Sequence, residues 1–103
     1  MVFQETAVFT KLIKELMSDE HYCGLQNHLV ERPDAGDLIK DTGGMRKLRW
    51  SLPGTGKSGG VRLIYYWRVS EDQILMLLVY PKSAKDNLSP AEKQRLRKIV
   101  EKW

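Results

Sequence analysis

Basic and phenolic side chains stand on three segments in the second half of the chain that have the pattern of β-strands. Arg62 lies on one segment, and Tyr80 with Lys82 ends another. Lys47 and Arg49 lie on a third. Arginine binds two phosphate oxygens with its planar fork, so such a group could stabilise a phosphodiester while a neighbouring 2′-hydroxyl attacks it. Arg62, Tyr80 and Lys82 are therefore candidate catalytic residues for a metal-free RNA cleavage.

Other interpretations of these residues are more ordinary. Arginine and lysine on the open side of a strand are usually solvated charges, and Tyr80 could end an apolar strand with its hydroxyl in water or stack on a base. The sequence contains no Ser/His/Asp or Cys/His arrangement that would indicate a different catalytic site. We expect Lys47 and Arg49 to bind RNA, together with the nearby cations Arg46, Lys57 and Lys85.

The stretch SLPGTGKSGG, residues 51–60, is a partial match to a phosphate-binding loop. The first glycine of that motif is replaced by Ser51, and the residues that follow, VRLIYYWRV, have strand propensity where a helix is required. His21 and His28 are seven residues apart, which is not the spacing of a zinc pair. We therefore predict no nucleotide, metal or other cofactor.

Charge is distributed unevenly along the 103 residues, although the net charge is only +4. Residues 1–39 hold three basic and seven acidic residues, whereas residues 40–68 hold seven basic residues and Asp41 as the one acid. Such a basic segment favours a polyanion partner, and nucleic acid is preferred to a membrane because no basic amphipathic stretch exposes bulky apolar residues. The N-terminal residues carry no export signal, and one cysteine allows no internal disulfide, so we expect a cytoplasmic protein without membrane contact.

Apolar periodicity predicts the elements that position these residues. A short strand around Val2 to Gln4 precedes a helix with an i, i+3, i+4 stripe from Phe9, and Ser18 caps a second helix that ends before Pro33. Alternation from Gly44 predicts a hairpin whose long connection is the glycine-rich loop. The unalternating run ILMLLVY, residues 74–80, predicts a central strand covered on both faces.

The final helix begins with a capping box of Ser89 and Glu92, with Pro90 at its first position. Residues 1–103 therefore predict one α+β domain: an N-terminal strand and helical hairpin, a three-stranded antiparallel meander and a C-terminal helix. We expect residues 34–44 to form a loop, the helices to pack on one side of the sheet, and a basic side to stay partly open.

The sequence resembles the RelE/ParE superfamily toxins, and within them the HigB-like branch of the RelE-type ribosome-dependent ribonucleases. The resemblance lies in GTGGMRKLRW, GGVRLIYYW and LLVYPKSAKDNLS, followed by a terminal helix. It implies a RelE-like fold. By position, Arg62 looks like the transition-state arginine of that family, and Tyr80 and Lys82 look like its C-terminal active-site pair. Some members use a histidine or a later tyrosine as acid or base, and neither histidine of this chain is near these segments.

The resemblance also implies a function and partners. The expected protein is the toxin of a type II toxin-antitoxin system, a ribosome-dependent mRNA endonuclease (endoribonuclease) that cuts mRNA in the ribosomal A site and inhibits translation. A cognate antitoxin with a helix-turn-helix domain would neutralise it and would provide its link to operator DNA. The alternative is a non-catalytic RNA- or ribosome-binding module that uses the same basic surface without producing new RNA ends.

Overall fold

The protein, in a computed structural model, is described for residues 1–52 and 60–103. It is built around one five-stranded sheet with strand order β1-β5-β4-β3-β2. Residues 53–59 of the predicted glycine-rich connection, including Lys57 at its predicted tip, lie outside the described residues. The elements, in chain order, are β1 (Val2–Glu5), α1 (Ala7–Leu16), α2 (Asp19–Glu31), β2 (Asp37–Leu38), β3 (Met45–Trp50), β4 (Val61–Arg68), a 3-10 turn (Val69–Glu71), β5 (Gln73–Pro81) and α3 (Pro90–Lys102).

The second helix of the hairpin α1–α2 begins at the predicted cap Ser18 and ends before Pro33, as predicted. Thr6 accepts a hydrogen bond from the Phe9 amide to cap α1, and Ser18 accepts one from the His21 amide to cap α2. The α2 helix stops at Glu31, two residues before Pro33. The helical hairpin and its cap at Ser18 are therefore confirmed.

Strand β5 is the centre of the fold and is covered on both faces, as its unalternating sequence predicts. Ile74 and Met76 belong to the core on the α1–α2 face, and Leu75 and Leu77 belong to the core on the α3 face. The expectation that all helices pack on one side of the sheet is wrong. A strand that is apolar on both faces needs an apolar cover on each, and α3 provides the second one.

Two further details differ from the sequence prediction. The expected loop 34–44 contains the two-residue strand β2, which pairs antiparallel with β3. Strand β1 pairs parallel with β5, so it extends the antiparallel meander into a mixed sheet. Both strands lie at the sheet edges. Strand β2 has only two residues, too few to give an alternating pattern, whereas β1 is the predicted N-terminal strand, whose pairing partner the sequence prediction did not specify.

The C-terminal helix starts at a complete capping box. The Ser89 hydroxyl accepts from the Glu92 amide at 3.2 Å, and the Glu92 carboxylate accepts from the Ser89 amide at 2.9 Å. At the other end of the helix, the Arg68 guanidinium lies 4.0 Å from the centre of the Trp103 ring. Within residues 1–52 and 60–103, no helix is both long enough and apolar enough to cross a bilayer.

Candidate active site

The strand register places three of the predicted side chains in one row across the sheet. Arg49 on β3 pairs with Arg62 on β4, and Arg62 pairs with Tyr80 on β5. Directly paired residues project from the same face of a sheet. This is the α3 face, because Tyr80 packs there in the core with Ile64 and Leu96.

Arg62 is a buried cation, with only 7 % of its surface exposed. Its Nη1 donates to the carbonyl oxygen of the preceding residue, Val61, at 3.3 Å. In the part of the chain that the structure describes, no carboxylate forms an ion pair with it. Removing an ion from water without a counter-ion costs several kcal/mol in folded proteins, and an anion bound at this guanidinium could supply the missing opposite charge.

The guanidinium of Arg62 borders a cleft of about 300 Å³, which we call the cationic cleft. Four basic residues line it, together with one carboxylate and one amide. Arg62 on β4 and Lys82, which directly follows the last residue of β5, both line it although they are 20 positions apart in the sequence. The lining residues are Lys47, Arg49, Arg62, Lys82, Asp86 and Asn87.

Hydrogen bonds fix the loop that follows β5 against the sheet. The Lys47 ammonium donates to the Asn87 side-chain oxygen at 2.9 Å and to the Asp86 carbonyl oxygen at 3.3 Å. The Tyr80 hydroxyl donates to the same Asp86 carbonyl at 3.4 Å. The backbone of Asp86 is therefore held from both β3 and β5 at the cationic cleft, which this residue lines.

Tyr80 lies beneath the cleft and does not line it. Its surface is 5 % exposed, and burial raises the pKa of its phenol above the ordinary value, although the nearby Arg62 charge acts in the opposite direction. The phenol is therefore protonated at neutral pH. The Lys85 ammonium lies 5.0 Å from the centre of the Tyr80 ring and forms an ion pair with Glu92.

The structure does not bring every predicted RNA-binding residue to the cleft. Arg46 projects from the opposite face of β3, because it is one residue from Lys47, and it donates to the carbonyl oxygens of Asp34 at 3.3 Å and Gly36 at 2.8 Å. Lys85 is engaged by Glu92 and Tyr80. Both residues support the fold in these positions, and Lys57 is outside the described residues.

Sequence reasoning missed Asp86 and Asn87 as candidate site residues. They stand in the quoted stretch YPKSAKDNLS, shortly before the Ser89 cap, where polar residues are typical of any loop. The one sequence feature that could have identified them as candidate site residues is their position between a buried strand and a capped helix. That position lets them line the same cleft as Arg49 and Arg62.

Together, the sheet and the cleft define a small α+β protein with a cleft lined by four basic residues, one aspartate and one asparagine. The chain belongs to the RelE toxin family, because the family model described as the RelE toxin of the RelE / RelB toxin-antitoxin system matches residues 1–103. The predicted RelE relationship is thereby confirmed, while the HigB-like branch stays a prediction.

A solved structure agrees with this assignment at the level of the fold. The protein is similar to the crystal structure of the isolated E. coli RelE toxin, with a TM-score of 0.57 and 17 % sequence identity. The match covers 95 % of this chain and 97 % of that one. The predicted α+β, RelE-like fold is confirmed.

Proposed function

We propose that the protein is a ribosome-dependent, metal-independent mRNA endonuclease that acts as the toxin of a toxin-antitoxin pair. The observation that carries this proposal is the buried Arg62 guanidinium, which has no carboxylate partner among the described residues and opens onto the cationic cleft. A structural arginine is normally neutralised when it is buried. A guanidinium kept charged and unneutralised beside a cleft is suited to a phosphate that gains charge during reaction.

Three side chains share the catalytic tasks of this reaction. The Asp86 carboxylate accepts the proton of the 2′-hydroxyl, whose oxygen attacks the adjacent phosphorus. Arg62 binds the non-bridging oxygens as charge accumulates there. The bond from phosphorus to the 5′-oxygen breaks, and the Lys82 ammonium donates a proton to that oxygen. The products are a 2′,3′-cyclic phosphate and a 5′-hydroxyl, and later addition of water gives a 3′-phosphate.

The remaining cations hold the substrate or the loop. Arg49 is exposed at the rim of the cleft and binds the RNA backbone, while Lys47 binds RNA and also fixes the Asp86 loop. Tyr80 assists through its hydroxyl bond to the Asp86 carbonyl, so it positions the proposed base and keeps its own proton. Lys57 is proposed as a further RNA contact on charge alone.

The partners follow from the family and from the sequence resemblance. We propose that the ribosomal A site presents the mRNA in a geometry suited to in-line attack, since the open cleft has few features that could orient a free strand. A cognate antitoxin with a helix-turn-helix domain would neutralise the toxin and connect it to operator DNA. This assignment implies action in the cytoplasm and inhibition of translation.

A single-atom change in the substrate tests the chemistry. Ribosomes with an empty A site are programmed with mRNA, or with the same mRNA carrying one 2′-deoxyribonucleotide at the cleaved position. We expect cleavage of the first to give 5′-hydroxyl ends, and no cleavage of the second, because the attacking oxygen is missing. Equal cleavage of both would disprove attack by the 2′-hydroxyl and would favour a metal-activated water.

The non-catalytic alternative predicts a different result in the same assay. A binding module would associate with ribosomes in a salt-sensitive way, yet would produce no new ends from either mRNA. Arg62→Met is the matching protein control, because it keeps side-chain bulk but removes the charge. Arg32→Met, at the exposed end of α2, controls for the loss of one positive charge at a residue that does not line the cleft.

A further inference from the structure

The cationic cleft contains one uncharged polar side chain, which the proposed reaction does not use. Asn87 lines the cleft together with four basic residues and Asp86, and it is exposed. The basic residues and the carboxylate already account for binding the phosphate and for moving the protons. The Asn87 amide is therefore available to contact a different part of the RNA.

A hydrogen bond fixes the orientation of the Asn87 amide. The Lys47 ammonium donates to the Asn87 side-chain oxygen at 2.9 Å. An ammonium has three donors and no acceptor, so the amide oxygen has to face Lys47 and the amide nitrogen has to face away from it. Lys47 is itself held in place, because it also donates to the Asp86 carbonyl at 3.3 Å.

Both members of this pair have hydrogen atoms left to donate. Two of the three donors of Lys47 are used at Asn87 and Asp86, so one remains. The Asn87 amide nitrogen carries two donors, and no hydrogen bond within residues 1–52 and 60–103 uses them. The lysine charge also polarises the amide and strengthens these donors. The pair therefore presents donors, while its one acceptor is engaged by the ammonium.

The two nitrogens are close enough to contact one nucleotide base. The oxygen and nitrogen of an amide share one carbon, with bonds of about 1.2 and 1.3 Å, so the Lys47 and Asn87 nitrogens lie within about 5.5 Å of each other. Hydrogen-bonding groups stand at neighbouring positions along the edge of a base. Two donors at this separation can therefore bind the same base edge.

The four bases respond differently to a pair of donors. Guanine presents two adjacent acceptors, O6 and N7, and uracil presents O4 in the way that thymine does. Adenine and cytosine present an amino group instead, so a donor would face a donor. The edges of unpaired bases in single-stranded RNA are open to such contacts. A donor pair therefore favours the keto bases, guanine and uracil, over the amino bases.

We propose that Lys47 and Asn87 form a base-recognition pair that selects a keto base, guanine above uracil, at a nucleotide that flanks the scissile phosphate. The inference rests on the proposed function, because it assigns a sequence preference to the same cleft. Contacts to phosphate position a nucleic acid, whereas contacts to base edges carry the sequence information. Asn87 is thus a specificity residue, and the reacting atoms are left to Arg62, Lys82 and Asp86.

A substitution of the same shape reverses the hydrogen-bonding character of position 87. Asn87→Asp keeps an oxygen for Lys47, so the loop should stay in place, and it puts an acceptor where the amide nitrogen was. We expect its preference to move to adenine and cytosine, whose amino groups can donate to that oxygen. Asn87→Leu should lose the wild-type preference without gaining another. Asn27→Asp makes the same change at an exposed residue of α2 that does not line the cleft.

Cleavage of a randomised mRNA measures these preferences. Ribosomes are programmed with mRNA that carries all four bases at the positions on either side of the cleaved bond, and the new ends are sequenced. Wild type and Asn27→Asp should favour guanine over adenine by about tenfold or more at one position, which is the discrimination expected of two hydrogen bonds to one base. A wild-type preference for adenine or cytosine, or an unchanged preference in Asn87→Asp, would overturn the proposal.

Base analogues identify the atoms that are recognised. Inosine keeps the O6 and N7 acceptors of guanosine and lacks only its amino group, so it should be cleaved as well as guanosine. The base 2-aminopurine lacks O6, so it should be cleaved as poorly as adenosine. Equal cleavage of guanosine and 2-aminopurine, or failure of inosine to replace guanosine, would refute recognition of the O6 and N7 edge.

Binding to an uncleavable substrate separates this inference from the proposed function. Programmed ribosomes whose mRNA carries 2′-deoxyribonucleotides on both sides of the target bond should bind wild type more tightly with guanine than with adenine, and Asn87→Asp should reverse the order. This affinity pattern without cleavage of any mRNA would refute only the proposed activity. Cleavage with no base preference, or equal weakening by Asn87→Leu for all four bases, would refute only the base-recognition pair.

Discussion

Arg62 and Tyr80 are direct partners across β4 and β5, and both side chains are almost completely buried. The phenol stays neutral because burial raises its pKa, and the guanidinium stays charged because its proton is not lost near neutral pH. The paired residues Arg62 and Tyr80 therefore combine a permanent positive charge with a neutral side chain that packs in the apolar core. This pair gives the cationic cleft its fixed cation.

Replacing Arg62 should separate stability from function. Arg62→Met removes a buried charge that has no described carboxylate partner and keeps an apolar side chain in its place, so we expect unfolding free energy to stay equal or rise by about 1–4 kcal/mol. Arg49→Met, at the exposed rim, should change stability by less than about 0.5 kcal/mol. Thermal denaturation measures both. A clear fall in the Tm of Arg62→Met would mean that the guanidinium is a structural element.

Asp86→Asn should leave the loop in place but remove the proposed base. The backbone of residue 86 keeps its bonds from Lys47 and Tyr80, so RNA binding should persist. We expect single-turnover cleavage to fall about 10²- to 10⁴-fold. A variant that cleaves at the wild-type rate would exclude this carboxylate as the proton acceptor.

Gly60→Ala should damage the fold next to the cleft, with Gly24→Ala as a matched control. Gly60 has φ +91°, and a Cβ there would lie 2.5 Å from the Trp50 carbonyl oxygen. Its own carbonyl accepts from the Lys82 amide at 3.2 Å. We expect Gly60→Ala to lose about 1–3 kcal/mol of unfolding free energy and to reduce cleavage, because the backbone at Lys82 shifts.

The control substitution lies on the exposed side of α2. A Cβ at Gly24 would meet nothing within 4 Å, so Gly24→Ala should stabilise the helix by about 0.5–1 kcal/mol. Urea denaturation compares the two variants under identical conditions. If both substitutions changed the unfolding free energy in the same direction, the expected strain of a side chain at Gly60 would be contradicted.

Glu92→Gln should remove an acid-sensitive part of the stability. Hydrogen bonding from Lys85, followed by the Ser89 amide, holds the pKa of Glu92 below its usual value of 4.5. A lowered pKa in the folded state gives stability that is present above pH 4.5 and is lost as pH falls through the folded value.

The expected difference is therefore pH-dependent. Glu92→Gln should be less stable than wild type by up to about 1 kcal/mol at neutral pH, with the gap closing in acid. Lys85→Met should show the same loss, because it removes the other half of the pair. Urea midpoints measured from about pH 7 to pH 3 test this, and a gap that widens in acid would contradict it.

Much of the fold follows from local patterns in the sequence. The caps at Ser18 and Ser89 and the apolar run 74–80 each specify one element with a clear physical cause, and all three are present. The placement of α3 on the second face did not follow from the helix alone. It depends on which strand faces remain uncovered after the sheet has assembled.

Local sequence patterns likewise predicted only part of the candidate site. Alternation on β3 and β4 correctly indicates that Arg49 and Arg62 lie on strands, but only the register shows that they are direct partners. Arg46 appeared equivalent to Lys47 by composition, yet pleating places it on the other face. Asp86 and Asn87 reach the cleft through long-range bonds to Lys47, which no local pattern encodes.

The most direct test of the central claim is a map of transcript 5′ ends in cells after induction of wild type, Arg62→Met or Arg32→Met. Wild type and Arg32→Met should arrest growth and generate new 5′-hydroxyl ends inside translated reading frames. Arg62→Met should be folded and produce neither effect. New ends of equal abundance with Arg62→Met would contradict the role of this guanidinium, and growth arrest by wild type without new ends would contradict cleavage itself.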